Sequence, residues 1–131
     1  MIKESVLNAL KVLGFEPEEI DEVGYGFKYE DVRFLYAVDD DDTSCVTLMV
    51  PRVFEFTPEN RAATVDAMVK LCAEVKYVQP SILFDDEVWL SYQHFLGEDE
   101  VTPELLEHMI RLLSFATYSF HNTMNPDGDD N

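Results

Sequence analysis

Basic residues are scarce in this sequence, where nine lysines and arginines stand against 27 aspartates and glutamates, for a formal net charge of −18. So negative a chain repels phosphate backbones and anionic lipid headgroups. We therefore exclude nucleic acids and membrane surfaces as partners. The acidic residues either keep the domain in solution or recruit a basic protein partner.

Cysteine and long apolar runs are also scarce. Cys45 and Cys72 have neither the density of a disulfide scaffold nor the close spacing of a zinc or redox motif, so we expect two reduced, packed thiols. No apolar run approaches the roughly 18 residues of a membrane span. The first residues lack the basic start and apolar stretch of a secretory signal. These absences predict a cytoplasmic protein.

No catalytic or metal-binding motif stands out. The three histidines form no His-x-x-x-His pair, which favours structural or surface roles. Ser44 and Cys45 adjoin but lack a Gly-x-Ser-x-Gly elbow or a flanking histidine. The four aspartates at 39–42 could attract Ca²⁺, yet they lack the alternate spacing of EF-hand ligands, which favours a solvated loop. We therefore predict no enzyme activity, no cofactor and no metal. The histidines are His94, His108 and His121.

Apolar residues at helical spacing predict three helices. The first covers residues 2–13 and is closed by Gly14 in a left-handed cap. The sequence Thr-Pro-Glu occurs at 57–59 and again at 102–104, and each copy reads as an N-cap followed by proline at the first helical position. We expect the second helix to bury a stripe formed by Ala62, Val65, Met68, Val69, Cys72 and Val75.

Alternating apolar residues predict five strands. Residues 23–29 and 32–38 form a hairpin around Glu30 and Asp31, which sets Phe27 opposite Phe34. A third strand at 44–50 follows a five-residue loop, and this register sets Leu48 opposite Phe34. Residues 77–84 and 88–95 form a second hairpin around the turn 85–87. Pro80 cannot donate to a ladder, which predicts an edge strand or a bulge there.

The sum is an α+β fold with the element order α-β-β-β-α-β-β-α, in one domain over residues 1–122 with an acidic, flexible tail at 123–131. In this element order the chain resembles the YbjN-like proteins and the type III secretion chaperones. The resemblance is most local over residues 57–120, where a helix start Thr-Pro-Glu-Asn leads to a hairpin and then to a second helix start, Thr-Pro-Glu-Leu. The resemblance implies a non-enzymatic dimer that holds an extended segment of a partner protein.

The sheet face away from the aromatic side chains is the candidate partner-binding site. The hairpin register places Lys28 opposite Arg33, an unfavourable pair unless a carboxylate or a partner covers it. Leu35, Cys45 and Met49 share this face, giving an apolar centre with a basic edge. The alternative is that acidic residues of the chain neutralise the pair and a helix or loop covers the apolar residues.

Two functions follow from these patterns. The first is a cytosolic, non-enzymatic protein-interaction domain, chaperone-like or regulatory, which forms a homodimer and binds a protein partner. The second is a small enzyme or ligand-binding domain whose acidic residues recognise a cationic metabolite or a metal. The sequence favours the first function, because the second requires a convergent polar constellation.

Overall fold

The structure is a computed structural model and describes residues 2–125. Three helices and six strands lie within this range. The helices are α1 (Ile2–Val12), α2 (Arg61–Glu74) and α3 (Pro103–Met124). The strands are β1 (Glu18–Ile20), β2 (Gly24–Tyr29), β3 (Val32–Ala37), β4 (Cys45–Glu55), β5 (Val78–Leu83) and β6 (Glu87–Phe95).

The six strands form one antiparallel sheet in the order β1-β2-β3-β4-β6-β5. This arrangement confirms the predicted α+β class and the order of the elements, to which the sheet adds the short edge strand β1. Strand β5 is the other edge, as Pro80 predicted. Strand β6 lies between β4 and β5, so the second hairpin joins the sheet through its second strand.

The helices pack on the aromatic face of the sheet. Phe15, just after α1, contacts Phe27 with ring centroids 5.1 Å apart. Phe120 of α3 contacts Phe54 at 5.8 Å. On β4, Val46, Leu48 and Val50 face this layer and are 0–3% exposed, whereas the alternate residues of the strand are only half-buried. The hydrophobic core therefore lies between this face and the helices.

The first hairpin has the predicted register. Phe27 pairs with Phe34 and Tyr25 with Tyr36. Glu30 and Asp31 occupy the two turn positions with φ of 48° and 70°, as in the type I′ turns that match the twist of a hairpin. The local alternation and the two-residue turn were sufficient to fix this register.

Two other registers were wrong, each by two residues. Leu48 pairs with Tyr36 rather than Phe34, because β4 starts only at Cys45 and the connection is longer than five residues. In the second hairpin Ile82 pairs with Val88, and Phe84 lies in the turn with φ of 57°. A shift of two residues keeps each side chain on its predicted face.

Helix α2 departs from its prediction at both its start and its buried stripe. It begins at Arg61, with Asn60 as N-cap. The sequence predicted the cap at Thr57, three residues earlier. In the structure the Oδ1 of Asn60 accepts from the backbone N–H of Thr57 at 2.8 Å, which closes a separate turn before the helix. The buried residues of α2 are Thr64, Ala67 and Leu71. Consequently the predicted stripe is largely exposed, and Cys72, expected to be packed, faces solvent.

The other helix ends agree with the sequence. Gly14 has φ of 96° and lies two residues after Val12, the last residue of α1, as predicted for a left-handed cap. The Thr102 hydroxyl accepts from the backbone N–H of Leu105 at 3.1 Å, with Pro103 at the first helical position. Helix α3 continues to Met124. Residues 126–131 lie outside the described range, so the predicted acidic tail stays a prediction.

The histidines occupy structural or surface positions. His121, near the end of α3, places Nε2 2.6 Å from the carbonyl oxygen of Val53, and so ties the helix to the irregular part of β4. His108 is exposed and meets the Tyr92 ring edge-on at 6.2 Å. His94 lies on β6 opposite Val46. These positions agree with the sequence interpretation.

Candidate functional site

The face of the sheet opposite the helices, which we call the outer face, contains the five predicted site residues. Its basic edge lies on the first hairpin, where Lys28 and Arg33 are direct partners across β2 and β3 and both are exposed. Within residues 2–125 neither side chain forms an ion pair with a carboxylate. The two cations therefore stand side by side without a neutralising group.

The apolar centre of the outer face is formed by Leu35 and Met49, which pair directly across β3 and β4. Leu35 is only 7% exposed although no helix covers it. Its neighbour Gly26 has no side chain, and Ile20 of β1 fills the space, with its Cδ1 3.1 Å from where a Cβ of Gly26 would lie. Gly26 therefore leaves room for the Ile20 side chain beside Leu35.

Cys45 is separated from this centre. It pairs with Phe95 of β6 at the far end of β4, four residues and therefore roughly 13 Å from Met49 along the strand. Phe95 is 72% exposed. The structure thus brings four of the five predicted residues together and leaves Cys45 beside a different apolar side chain.

Sequence reasoning did not include the aromatic residues at the other edge of the outer face. Trp89 lies on this face and donates from Nε1 to Oε1 of Glu87 at 2.9 Å. Phe84, in the turn between β5 and β6, contacts the Trp89 ring at 5.8 Å and is 72% exposed. The sequence predicted Phe84 as the last residue of a strand, whereas it lies in the turn.

A second exposed apolar surface lies on the helices, and we call it the helical patch: Phe115 and Tyr118 of α3, with Lys70 and Glu74 of α2 beside them. Phe115 is 61% exposed and Tyr118 49%. Between α2 and α3 there is a groove of about 480 Å³, lined by Phe115, Tyr118, Lys70 and Glu74 among others. Val65 and Val69, which the sequence assigned to the core, are also exposed on α2 but do not line this groove.

The candidate nucleophiles and the acidic loop are held in local contacts. The Ser44 hydroxyl donates to Oδ1 of Asp42 at 2.6 Å and lies 3.9 Å from the Sγ of Cys45. The hydrogen bonds from the Ser44 side chain, and then from its backbone N–H, lower the pKa of Asp42. Asp39 accepts from the backbone N–H of Asp41. Over residues 2–125 no three His, Cys, Asp or Glu side chains are grouped to hold a metal ion.

No helix within residues 2–125 combines the length and the apolar character that crossing a bilayer would require. Both cysteines are free thiols. This agrees with the prediction that neither is bridged.

Comparison with known proteins places the chain in a fold class rather than in a sequence family. No family model and no curated protein matches it. Solved structures do match over nearly the whole chain, and they share this α+β fold, which is that of YbjN and a type III secretion chaperone.

Three of these structures illustrate the likeness. An uncharacterised protein from Methanothermobacter thermautotrophicus has a TM-score of 0.64 at 14% identity, covering 98% of this chain and 100% of its own. YbjN from E. coli, described as a proposed transcription regulator, has a TM-score of 0.65 at 13% identity. The match covers 94% of this chain and 92% of YbjN. The Yersinia pestis type III secretion chaperone SycH, solved in complex with a stable fragment of YscM2, has a TM-score of 0.63 at 12% identity. The match covers 92% of this chain and 99% of the SycH chain. The predicted resemblance is confirmed for the fold.

Proposed function

We propose that this chain is a non-enzymatic, cytoplasmic protein-interaction domain that binds a protein partner through its outer face and forms a homodimer through its helical patch. The observation that carries the proposal is the one-sided sheet, with the helices packed on the aromatic face and Leu35, Met49, Lys28 and Arg33 on the other.

The charges of the outer face define the chemistry of the partner. Like charges directly opposite one another destabilise a sheet, so the cations of Lys28 and Arg33 stand in an unfavourable arrangement that a carboxylate would relieve. The adjoining Leu35 and Met49 offer apolar surface. We therefore infer a partner segment that places acidic residues beside apolar ones.

The helical patch has the properties of an interface between two copies. Phe115 and Tyr118 each expose roughly 100 Å² of aromatic side chain, enough to anchor an interface but well below the about 800 Å² that each partner of a standard complex buries. Lys70 and Glu74 border the same groove. In a two-fold dimer the lysine of one copy can meet the glutamate of the other, because such an interface is self-complementary.

The structural comparison supports a binding function by fold. SycH was solved with a fragment of another protein bound to it, and YbjN is described as a proposed transcription regulator. The local chemistry supports the non-enzymatic part, because the Ser44 hydroxyl donates to a carboxylate and contacts no imidazole within residues 2–125. An activated serine requires a neighbouring base.

The outer face is tested with Met49→Glu. We expect this variant to retain the wild-type circular dichroism spectrum and melting temperature but to lose the proteins that wild type captures by crosslinking from native lysate. Lys28→Glu should lose the same proteins by charge repulsion. Val12→Glu is the matched control, since it adds the same charge at an exposed residue of α1, on the helical side of the sheet. Unfolding of Met49→Glu, or equal capture by all four proteins, would contradict the assignment.

The dimer is tested by analytical ultracentrifugation. We expect wild type to sediment as a dimer and Phe115→Glu to sediment as a monomer, because a carboxylate would be buried without a partner. Val12→Glu is the matched control, on a residue that is 72% exposed on α1 and outside the helical patch. A monomeric wild type, or a dimer that survives Phe115→Glu, would refute this interface.

A further inference from the structure

A cavity of about 310 Å³ opens at one end of the sheet, away from the centre of the outer face. It lies between the connection from β3 to β4 and the segment after β6, and the start of α1 forms part of its wall. Ile2, Ala37 and Val38 supply apolar surface, and several acidic residues surround them. The volume is at the lower end of the range for small-ligand sites, about 300 to 1,000 Å³.

Three carboxylates at this cavity are uncommitted. Asp40, Glu98 and Asp99 line it, and their carboxylates have no hydrogen bond or ion pair with any side chain or backbone group of residues 2–125. They are not gathered closely enough to hold a metal ion, as no such group of three exists in this part of the chain. The cavity is therefore negative over a distance larger than one ion spans.

The hydroxyl of a largely buried tyrosine is also available at this cavity. Tyr36 lines it and is only 3% exposed, yet its hydroxyl makes no hydrogen bond within residues 2–125 and is reached by solvent. Burial, with smaller contributions from Tyr25 and Asp40, raises the pKa of Tyr36 to about 12. The hydroxyl therefore stays protonated near neutral pH, with a donor and two acceptor sites to offer.

We propose that this cavity binds an alkylammonium group, which has a primary amine on an aliphatic stem, as in a free polyamine or in a lysine side chain of another protein. The ammonium would lie among Asp40, Glu98 and Asp99, and one of its hydrogens would be donated to the Tyr36 hydroxyl. The aliphatic stem would contact Ile2, Ala37 and Val38. A bare metal ion would use neither the apolar wall nor the length of the cavity.

The chain already holds one such group nearby. Lys3 lines this cavity and also an adjoining cleft beside Tyr25 and Glu19, and its Nζ lies 5.8 Å from the centre of the Tyr25 ring. An ammonium over an aromatic face is a favourable arrangement. The end of the sheet therefore accommodates an aliphatic ammonium within its own structure. This site does not depend on the proposed protein-interaction function, because none of Lys28, Arg33, Leu35 or Met49 lines it.

Isothermal titration calorimetry with spermidine, on the full chain at physiological ionic strength, tests the proposal. We expect one site per chain. Asp40→Asn and Asp99→Asn should each weaken binding about tenfold, because each removes a nearby opposite charge. Tyr36→Phe should weaken it several-fold while preserving the ring and its packing.

The matched controls separate a defined site from diffuse attraction to an acidic protein. Asp85→Asn and Asp86→Asn make the same change of charge in the exposed turn between β5 and β6, and we expect binding within about twofold of wild type. Equal losses in cavity and control variants would overturn the proposal. So would Mg²⁺ competing as effectively as spermidine, or no measurable heat. The four Asp→Asn variants change exposed residues, so we expect all of them to fold. If Tyr36→Phe misfolds, the comparison of cavity and control aspartates still decides the proposal.

A parallel titration distinguishes the two sources of the group. A short acetylated and amidated peptide with a central lysine represents a protein side chain, and spermidine represents the free polyamine. Tighter binding of the peptide, with the same dependence on Asp40 and Asp99, would identify the ligand as a protein lysine. Tighter binding of spermidine would identify a polyamine. Failure of both to bind would refute the site without affecting the outer face or the helical patch.

Discussion

Leu48 and Met49 are adjacent on β4 and point to opposite faces of the sheet, which makes them a direct test of the one-sided architecture. Leu48 is 0% exposed and lies in the core, whereas Met49 is half-buried on the outer face. Truncation of a fully buried leucine to alanine costs about 2 to 5 kcal/mol, from the lost burial and the cavity left behind. Met49→Ala removes a side chain already in contact with water, and we expect a cost of about 1 kcal/mol or less.

The measurement is urea denaturation followed by circular dichroism, with the free energy of unfolding extrapolated to zero denaturant. We expect Leu48→Ala to lose at least about 2 kcal/mol more than Met49→Ala, a large share of the roughly 5 to 15 kcal/mol that stabilises a domain. Both variants should be compared at several protein concentrations, so that a dimer contribution is recognised. Equal destabilisation by the two substitutions would show that the outer face is core, and would refute the basis of the proposed function.

Three further predictions concern single contacts. His121→Ala should lower the free energy of unfolding by about 1 to 2 kcal/mol, because the largely buried carbonyl of Val53 loses its hydrogen-bond donor. In the same urea assay His108→Ala should lower it less. Equal losses would argue against the hydrogen bond from His121 to Val53. Thr102→Ala should cost about 1 kcal/mol by removing the N-cap of α3, and Thr102→Ser should restore most of it. Asp42 should titrate below its usual pKa by NMR, so its contribution to stability is lost only as the pH falls through that lowered value; Ser44→Ala should raise the pKa, and an unchanged value would contradict the assigned hydrogen bonds.

Several features of the fold were predictable because their causes are local. The turn at Glu30 and Asp31 and the alternation on either side determine the first hairpin and its register. Capping by Thr102 and the glycine after α1 mark helix ends through contacts between near neighbours in the chain. For the same reason the alternation placed Leu35 and Met49 on the face away from the aromatic side chains, and the opposition of Lys28 and Arg33 was predicted from the hairpin alone.

The errors occurred where distant segments decide the outcome. Both wrong registers depend on loop length, which alternation does not specify. Both were wrong by an even number of residues, so the paired side chains stayed on their predicted faces of the sheet. The stripe of α2 was misassigned because apolar residues occur on two sides of this helix, and only its contacts with α3 and β5 select Thr64, Ala67 and Leu71 for burial. The exposure of Val65 and Val69 is the consequence, and no periodicity alone would have placed them at the surface.

The sequence by itself determined the acidity of the chain, its α+β class and the residues of the outer face, since composition and short-range alternation are properties of the chain alone. The tertiary structure decided the position of Cys45 away from Met49, the shielding of Leu35 by Ile20 across Gly26, and the meeting of Tyr36 with the acidic loops. These contacts join segments far apart in sequence. Their geometry depends on how the whole sheet is ordered and covered, which no single segment encodes.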